Sequence, residues 1–143
     1  MFNFGTTFDD FTLLHYDDDY ARKIGFKRRP VQGALVSCII VKSIVKAFGD
    51  SSILRVHNLE FHEPIYPGSE ITIELEVLSN IRNTLISLKS RVYVGETLHY
   101  EGNTKIKAFE NSAFSLIAAT GGIETPVIIA AIPEPVGCPR AKH

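Results

Sequence analysis

The sequence predicts an α+β domain, an antiparallel sheet wrapped around one long helix, and three observations predict it. First, residues 33–48 are apolar apart from a narrow polar stripe, Lys42 and Lys46 at i, i+4 with Ser43 beside them. Second, from Ile53 onward the apolar period changes to two and stays there through four segments. Third, turn signals rather than helices separate those segments, notably Tyr66-Pro-Gly-Ser69 and Gly95-Glu96. A helix that greasy is expected to be buried on most sides, and followed by strands that are apolar on one face it packs most economically inside a curved sheet.

Composition narrows the functional classes. The 143 residues suffice for one ordinary domain. With 45% hydrophobic and 22% charged residues, wholesale disorder is excluded. A formal net charge of -1 offers no basic field for nucleic acid or an anionic membrane. The 2 cysteines, Cys38 within the apolar run and Cys138 near the end, make no disulfide framework, and a reducing, cytoplasmic setting is expected. Met1-Phe-Asn-Phe-Gly5 lacks the basic and apolar regions of a secretory signal. The longest clean apolar run late in the chain, Val127–Ile132, falls far short of the ~20 residues a bilayer needs.

Taken in order, Phe2 to His15 is aromatic and then acidic, with no long regular element. Asp17-Asp-Asp19 followed by Tyr20-Ala-Arg-Lys-Ile24 reads as a short helix, acidic at its start and basic at its end, with Gly25 as its stop. The acidic trio is a capping cluster rather than a metal site. Lys27-Arg-Arg29 and Pro30 form a basic loop. Gly33 opens the long helix and Gly49 closes it; Cys38 inside it is expected to pack. Ile53–Glu63 is one extended run ended by Pro64. Ile71, Ile73, Leu75 and Val77 alternate with polar residues, as do Ile86, Leu88, Val92 and Val94, then Leu98, Tyr100, Ile106 and Ala108, with Ser90 interrupting one apolar face. His57, His62 and His99 fall in these strands, at the surface or rim by default. No His/Cys/carboxylate spacing resembles a zinc or iron site. Ser37 and Ser43 lack a nucleophile elbow.

The order of motifs now becomes informative. Asp10-Phe-Thr-Leu-Leu-His15 resembles the Asp-x-Asn-Pro-x-His signature of the MaoC-like (R)-specific enoyl-CoA hydratases and dehydratases. Tyr20-Ala-x-x-x-Gly-Phe26 and Pro30-Val-Gln-Gly33-Ala-Leu35 are similar to that family's helix, loop and helix start. Leu59-Glu-Phe61-x-x-Pro64-Ile-x-x-Gly68-Ser-Glu70 resembles its strand ending in a Pro and a Gly turn. The match runs from Asp10 to Phe109 in order and spacing.

The resemblance implies a hot-dog fold over residues 1–111, with the family's first strand and helix shortened, because Phe2–Phe8 is too short for both. Residues 112–143 then form a C-terminal extension, with a strand-like stretch at 125–132 that either adds to the sheet edge or covers a partner subunit. The resemblance further implies a homodimer or higher homo-oligomer with its site at the interface. Substrates would be thioesters of coenzyme A or an acyl carrier protein, and no separate cofactor is needed because the pantetheine arrives with the substrate. Asp10 and His15 fall on the catalytic pair, and Gly33 on the position whose backbone N–H holds the thioester carbonyl. Thr12 stands where the signature has Asn, and Gln32 where a His is common. Lys27, Arg28 and Arg29 are either a solvated loop or the residues that bind the nucleotide phosphate of coenzyme A. The reaction so implied interconverts enoyl and (R)-3-hydroxyacyl thioesters, which needs a base, an acid and a donor to the developing oxyanion. A hot-dog thioesterase and a non-catalytic acyl-thioester binder are the alternatives. The Asp10/His15 spacing favours the hydratase over the binder.

Overall fold

The computed structural model describes residues 4–49, 52–81, 84–108 and 127–132. A short α1 (Phe4–Phe8) leads through a 3-10 turn (Leu13–His15) into α2 (Asp18–Lys23) and the long α3 (Gly33–Phe48). Five strands follow: β1 (Ile53–Phe61), β2 (Glu70–Ile81), β3 (Leu85–Val94), β4 (Thr97–Lys107) and β5 (Val127–Ala131).

Local chemistry sets the boundaries. The Asp17 carboxylate caps α2 by accepting from the N–H groups of Asp19 and Tyr20 at 2.8 and 2.9 Å. The same helix ends in a Schellman motif. Gly25, at φ 101, donates to Arg22 O and Phe26 donates to Ala21 O. Tyr66-Pro67-Gly68-Ser69 is a type II turn, with Gly68 at φ 80 and the Ser69 N–H on Tyr66 O at 3.2 Å.

The sheet is antiparallel throughout, in the order β1-β4-β3-β2-β5. Register shifts between Leu54 and Val56, Val77 and Ser79, and Val92 and Tyr93 bend it. Its inner face carries Ile71, Ile73 and Leu75 from β2, Ile86, Leu88 and Val92 from β3, and Tyr100 and Ile106 from β4. Val36, Ile40, Ile44 and Phe48, spaced four apart along α3, join the same buried cluster. Polar pairs lie on other residues of the strands: Arg91 to Glu76 at 2.9 Å and Lys89 to Glu101 at 3.0 Å. Ser90, which breaks the alternation, is nonetheless fully buried.

Two expectations change. The helix is not buried on most sides: Ala34, Cys38, Lys42 and Lys46 are exposed. Cys38 is therefore not a packing residue but an exposed thiol. The reason is architectural. One sheet face covers one side of a helix, and among the described residues no second layer covers the other. Composition alone cannot reveal how many layers a greasy helix will meet.

β5 pairs with β2 from Glu70↔Ala131 to Glu74↔Val127 and forms one sheet edge. Just beyond it, Ile132 donates to Ser69 O at 2.9 Å and accepts from the Gly68 N–H at 3.1 Å. Its side chain is 1% exposed within the core cluster. Ile132→Ala is therefore expected to lower unfolding stability by ~2–4 kcal/mol, read from urea denaturation. A loss below ~1 kcal/mol would mean that this segment docks without contributing to the core. The domain boundary placed at 111/112, and Cys138, lie outside the described residues.

Candidate active site

The segment between α1 and α2 is held in a tight loop. Asp9 takes a positive φ of 52, and the Asp10 N–H returns to Gly5 O at 3.1 Å. The His15 N–H closes on Thr12 O at 2.9 Å. His15 ends the turn that Thr12 begins, and Asp10 lies two residues before that turn; both are half-buried.

Thr12 holds the Asp10 carboxylate. Its hydroxyl donates to Oδ1 at 2.8 Å and its N–H to the same oxygen at 3.2 Å. Those two donors, hydroxyl first, pull the Asp10 pKa below the usual aspartate range; nearby His15 adds to the effect and burial opposes it. The folded chain therefore favours the carboxylate, and the bias fades as pH falls through that lowered value. Thr12→Val removes the hydroxyl donor, so it should move any acid limb belonging to Asp10 upward in a pH–rate profile. An unshifted limb would show that Asp10 does not titrate in the rate.

The partner of His15 fixes its tautomer. Nδ1 lies 3.0 Å from Pro30 O. A carbonyl only accepts, so Nδ1 carries the proton, and in the neutral ring Nε2 keeps its lone pair. The same bond anchors the loop against the chain leading into α3. A second tie comes from Gln32, whose Nε2 donates to the Tyr16 hydroxyl at 3.0 Å. Gln32 is the buried N-cap residue of α3, and it makes no side-chain cap bond of its own. Gly33 follows as the first residue of α3. There the leading N–H groups lack intrahelical acceptors and the helix dipole is positive. Asp10, His15, Thr12, Gln32 and Gly33 thus belong to one connected region. A carboxylate and an imidazole can accept or deliver protons, and helix N-terminal N–H groups can stabilise an oxyanion.

The basic loop is arranged differently. Arg28 donates to Pro67 O at 2.8 Å and its guanidinium lies 5.6 Å from the Tyr66 ring centroid. Arg29 donates through its backbone to Asp18 Oδ1 at 2.8 Å and through its side chain to Tyr16 O at 3.4 Å. Both arginines brace the loops around the site. Lys27 is exposed.

Two residues escaped the sequence reading. Tyr16, next to His15, links the loop to Gln32, and only its adjacency to a candidate residue could have flagged it. Phe61 was legible as part of a motif but without a role. Its ring lies where a side chain on residue 33 would be, with Cε1 2.7 Å from the ideal Cβ position. A third group, Glu60, His62 and Glu101, offers ligand atoms within 4.8 Å of one another. Glu60 and Glu101 are cross-strand partners, so linear spacing does not show them. Lys89 already pairs with Glu101 at 3.0 Å and His62 lies 3.5 Å from it.

A long helix against an antiparallel sheet of this topology, entered through a loop that carries a carboxylate and an imidazole, defines the class: a hot-dog domain. Residues 1–99 match the MaoC like domain, and the chain belongs to that family. It is similar to the (R)-specific enoyl-CoA hydratase of Aeromonas caviae, 29% identical over 107 residues, 73% of this chain and 80% of that one. It is also 39% identical over 62 residues to the mitochondrial 3-hydroxyacyl-[acyl-carrier-protein] dehydratase of Arabidopsis thaliana. That match spans 43% of this chain and only 37% of the relative's length. Among solved structures, the (R)-hydratase from A. caviae involved in PHA biosynthesis superposes with TM-score 0.68 at 28% identity, covering 74% of this chain and 83% of that one. The hot-dog fold expected from the motifs is the fold observed.

Proposed function

We propose that this protein is a hydratase/dehydratase that interconverts enoyl and (R)-3-hydroxyacyl thioesters. One observation carries the reading: Asp10 is bonded to Thr12, which begins the turn that His15 ends, and bonds to Pro30 O and from Gln32 tie that loop to the chain entering α3. In hydration, the Asp10 carboxylate and His15 Nε2 are two unprotonated acceptors beside one water. One of the two takes a proton from the water as the hydroxyl oxygen bonds to C3, and the group so protonated returns it to C2, which leaves both as they began. Between these events the thioester oxygen carries enolate charge, which the Gly33 N–H and the α3 dipole stabilise. Dehydration reverses each step. Thr12 orients Asp10, and Gln32 orients the loop through Tyr16.

The substrate arrives on coenzyme A or an acyl carrier protein, and its pantetheine is the only coenzyme component required. Exposed Lys27 meets the carrier's phosphate, while Arg28 and Arg29 hold the surrounding loops. The working unit is a homodimer in the cytoplasm. Exposed Phe8, Phe11, Leu13 and Phe61 lie on the segments that build the site, and Ile53, Leu54 and Val56 are exposed on β1, the other sheet edge. An apolar edge that no described strand pairs is the kind of surface a second copy covers. No helix among the described residues is long and apolar enough to cross a membrane.

The test offers crotonyl-CoA and 3-hydroxybutyryl-CoA while following enoyl absorbance and free thiol. Reversible absorbance change without thiol is expected. Thiol release would assign a thioesterase, and neither signal would favour a binding protein.

A further inference from the structure

The ring of Phe61 occupies a place that the reaction described above leaves unexplained. Phe61 ends β1 directly opposite Tyr100 on β4. The two rings meet edge to face, with centroids 4.7 Å apart and planes at 87°. Tyr100 is buried and its hydroxyl is bonded to the Ile65 backbone, so it is a fixed support. Phe61 is 58% exposed, so the ring is held on one side and open on the other. Its edge lies over Gly33: an ideal Cβ there would stand 2.7 Å from Cε1, 2.9 Å from Cζ and 3.4 Å from Cδ1. Carbon atoms in contact prefer ~3.5–4.0 Å. The ring edge therefore fills the volume beside the Gly33 Cα.

We propose that Phe61 is a specificity-determining residue that sorts acyl thioesters by substitution at C2. The inference rests on Gly33 as the seat of the thioester carbonyl. In this arrangement the carbonyl oxygen sits ~2.9 Å from the Gly33 N–H, and the two substituents of C1 approach the volume that the ring edge fills. One is sulfur, which carries a single unbranched arm in every such substrate. The other is C2, whose bulk varies. A flat, unsubstituted C2 passes the ring edge. A methyl on C2 competes for the space that a Cβ on residue 33 would need, and the Tyr100 support prevents the ring from retreating inward. The chain therefore selects enoyl groups with hydrogen at C2.

The experiment compares crotonyl-CoA with 2-methylcrotonyl-CoA in wild type, Phe61→Ala and Phe61→Leu, each checked for folding by circular dichroism. The quantity read is the ratio of kcat/KM for the branched over the straight substrate, which cancels general damage to the site. The ratio should rise at least tenfold in Phe61→Ala and by a smaller factor in Phe61→Leu. A ratio that rises in neither, with crotonyl-CoA still hydrated, overturns the role of Phe61 and leaves the hydratase reading standing. Loss of both activities in both folded variants also overturns it, because the ring would then serve turnover itself. A wild-type chain that hydrates neither substrate overturns the reading and the inference together.

Discussion

Asp10→Asn is expected to lower kcat for enoyl-thioester hydration by ~10²–10⁴-fold, the range for loss of a positioned acid–base group. The substitution is nearly isosteric and its Oδ1 still accepts from the Thr12 N–H and hydroxyl, so the loop geometry is retained. What disappears is a proton acceptor. Because Thr12 lowers the Asp10 pKa, the wild-type carboxylate is ionised throughout the neutral range. The loss should therefore be the same at pH 6 and pH 8, and stopped assays with circular dichroism on the same samples check both points. His15→Ala should produce a loss of similar order, since it removes the Nε2 lone pair and the anchor to Pro30 O. A rate like that of wild type in either folded variant would reject the assignment of the pair.

Gly33→Val is expected to reduce kcat/KM at least ~10²-fold, consistent with the cost of losing one preorganised oxyanion donor. Two effects contribute, and they are separable. A valine methine and its methyls would collide with the Phe61 ring. The same bulk would also hold the thioester carbonyl away from the helix N-terminus. Gly33→Ala combined with Phe61→Ala removes the first effect and keeps part of the second. If Gly33 seats the carbonyl, that double variant stays well below Phe61→Ala alone in saturation kinetics. Full recovery would mean that the glycine serves only to accommodate the ring.

The elements of this protein were written locally. The change of apolar period at Ile53, the caps at Asp17 and Gly25 and the turn at Tyr66–Ser69 depend on neighbours within a few positions, and all appear where their chemistry places them. The candidate residues were legible for a different reason: Asp10, His15 and Gly33 lie in short motifs whose order along the chain is itself informative. Their contacts were not legible. Nothing in the spacing says that Pro30 O fixes the tautomer of His15, that Gln32 reaches Tyr16, or that Arg28 and Arg29 turn to backbone carbonyls. Those bonds join residues separated by 13 to 39 positions.

By itself, then, the amino-acid order determined the α+β class, the long helix, the strand succession and the list of reactive groups, because periodicity and capping are short-range properties of a polymer. Only the tertiary structure decided that β5 closes the edge beside β2, that among the described residues nothing covers the side of α3 that carries Cys38, and that Phe61 stands over Gly33. Each of these is a choice of partner across space, and a chain selects such partners by packing and strand register, which no window of local sequence contains.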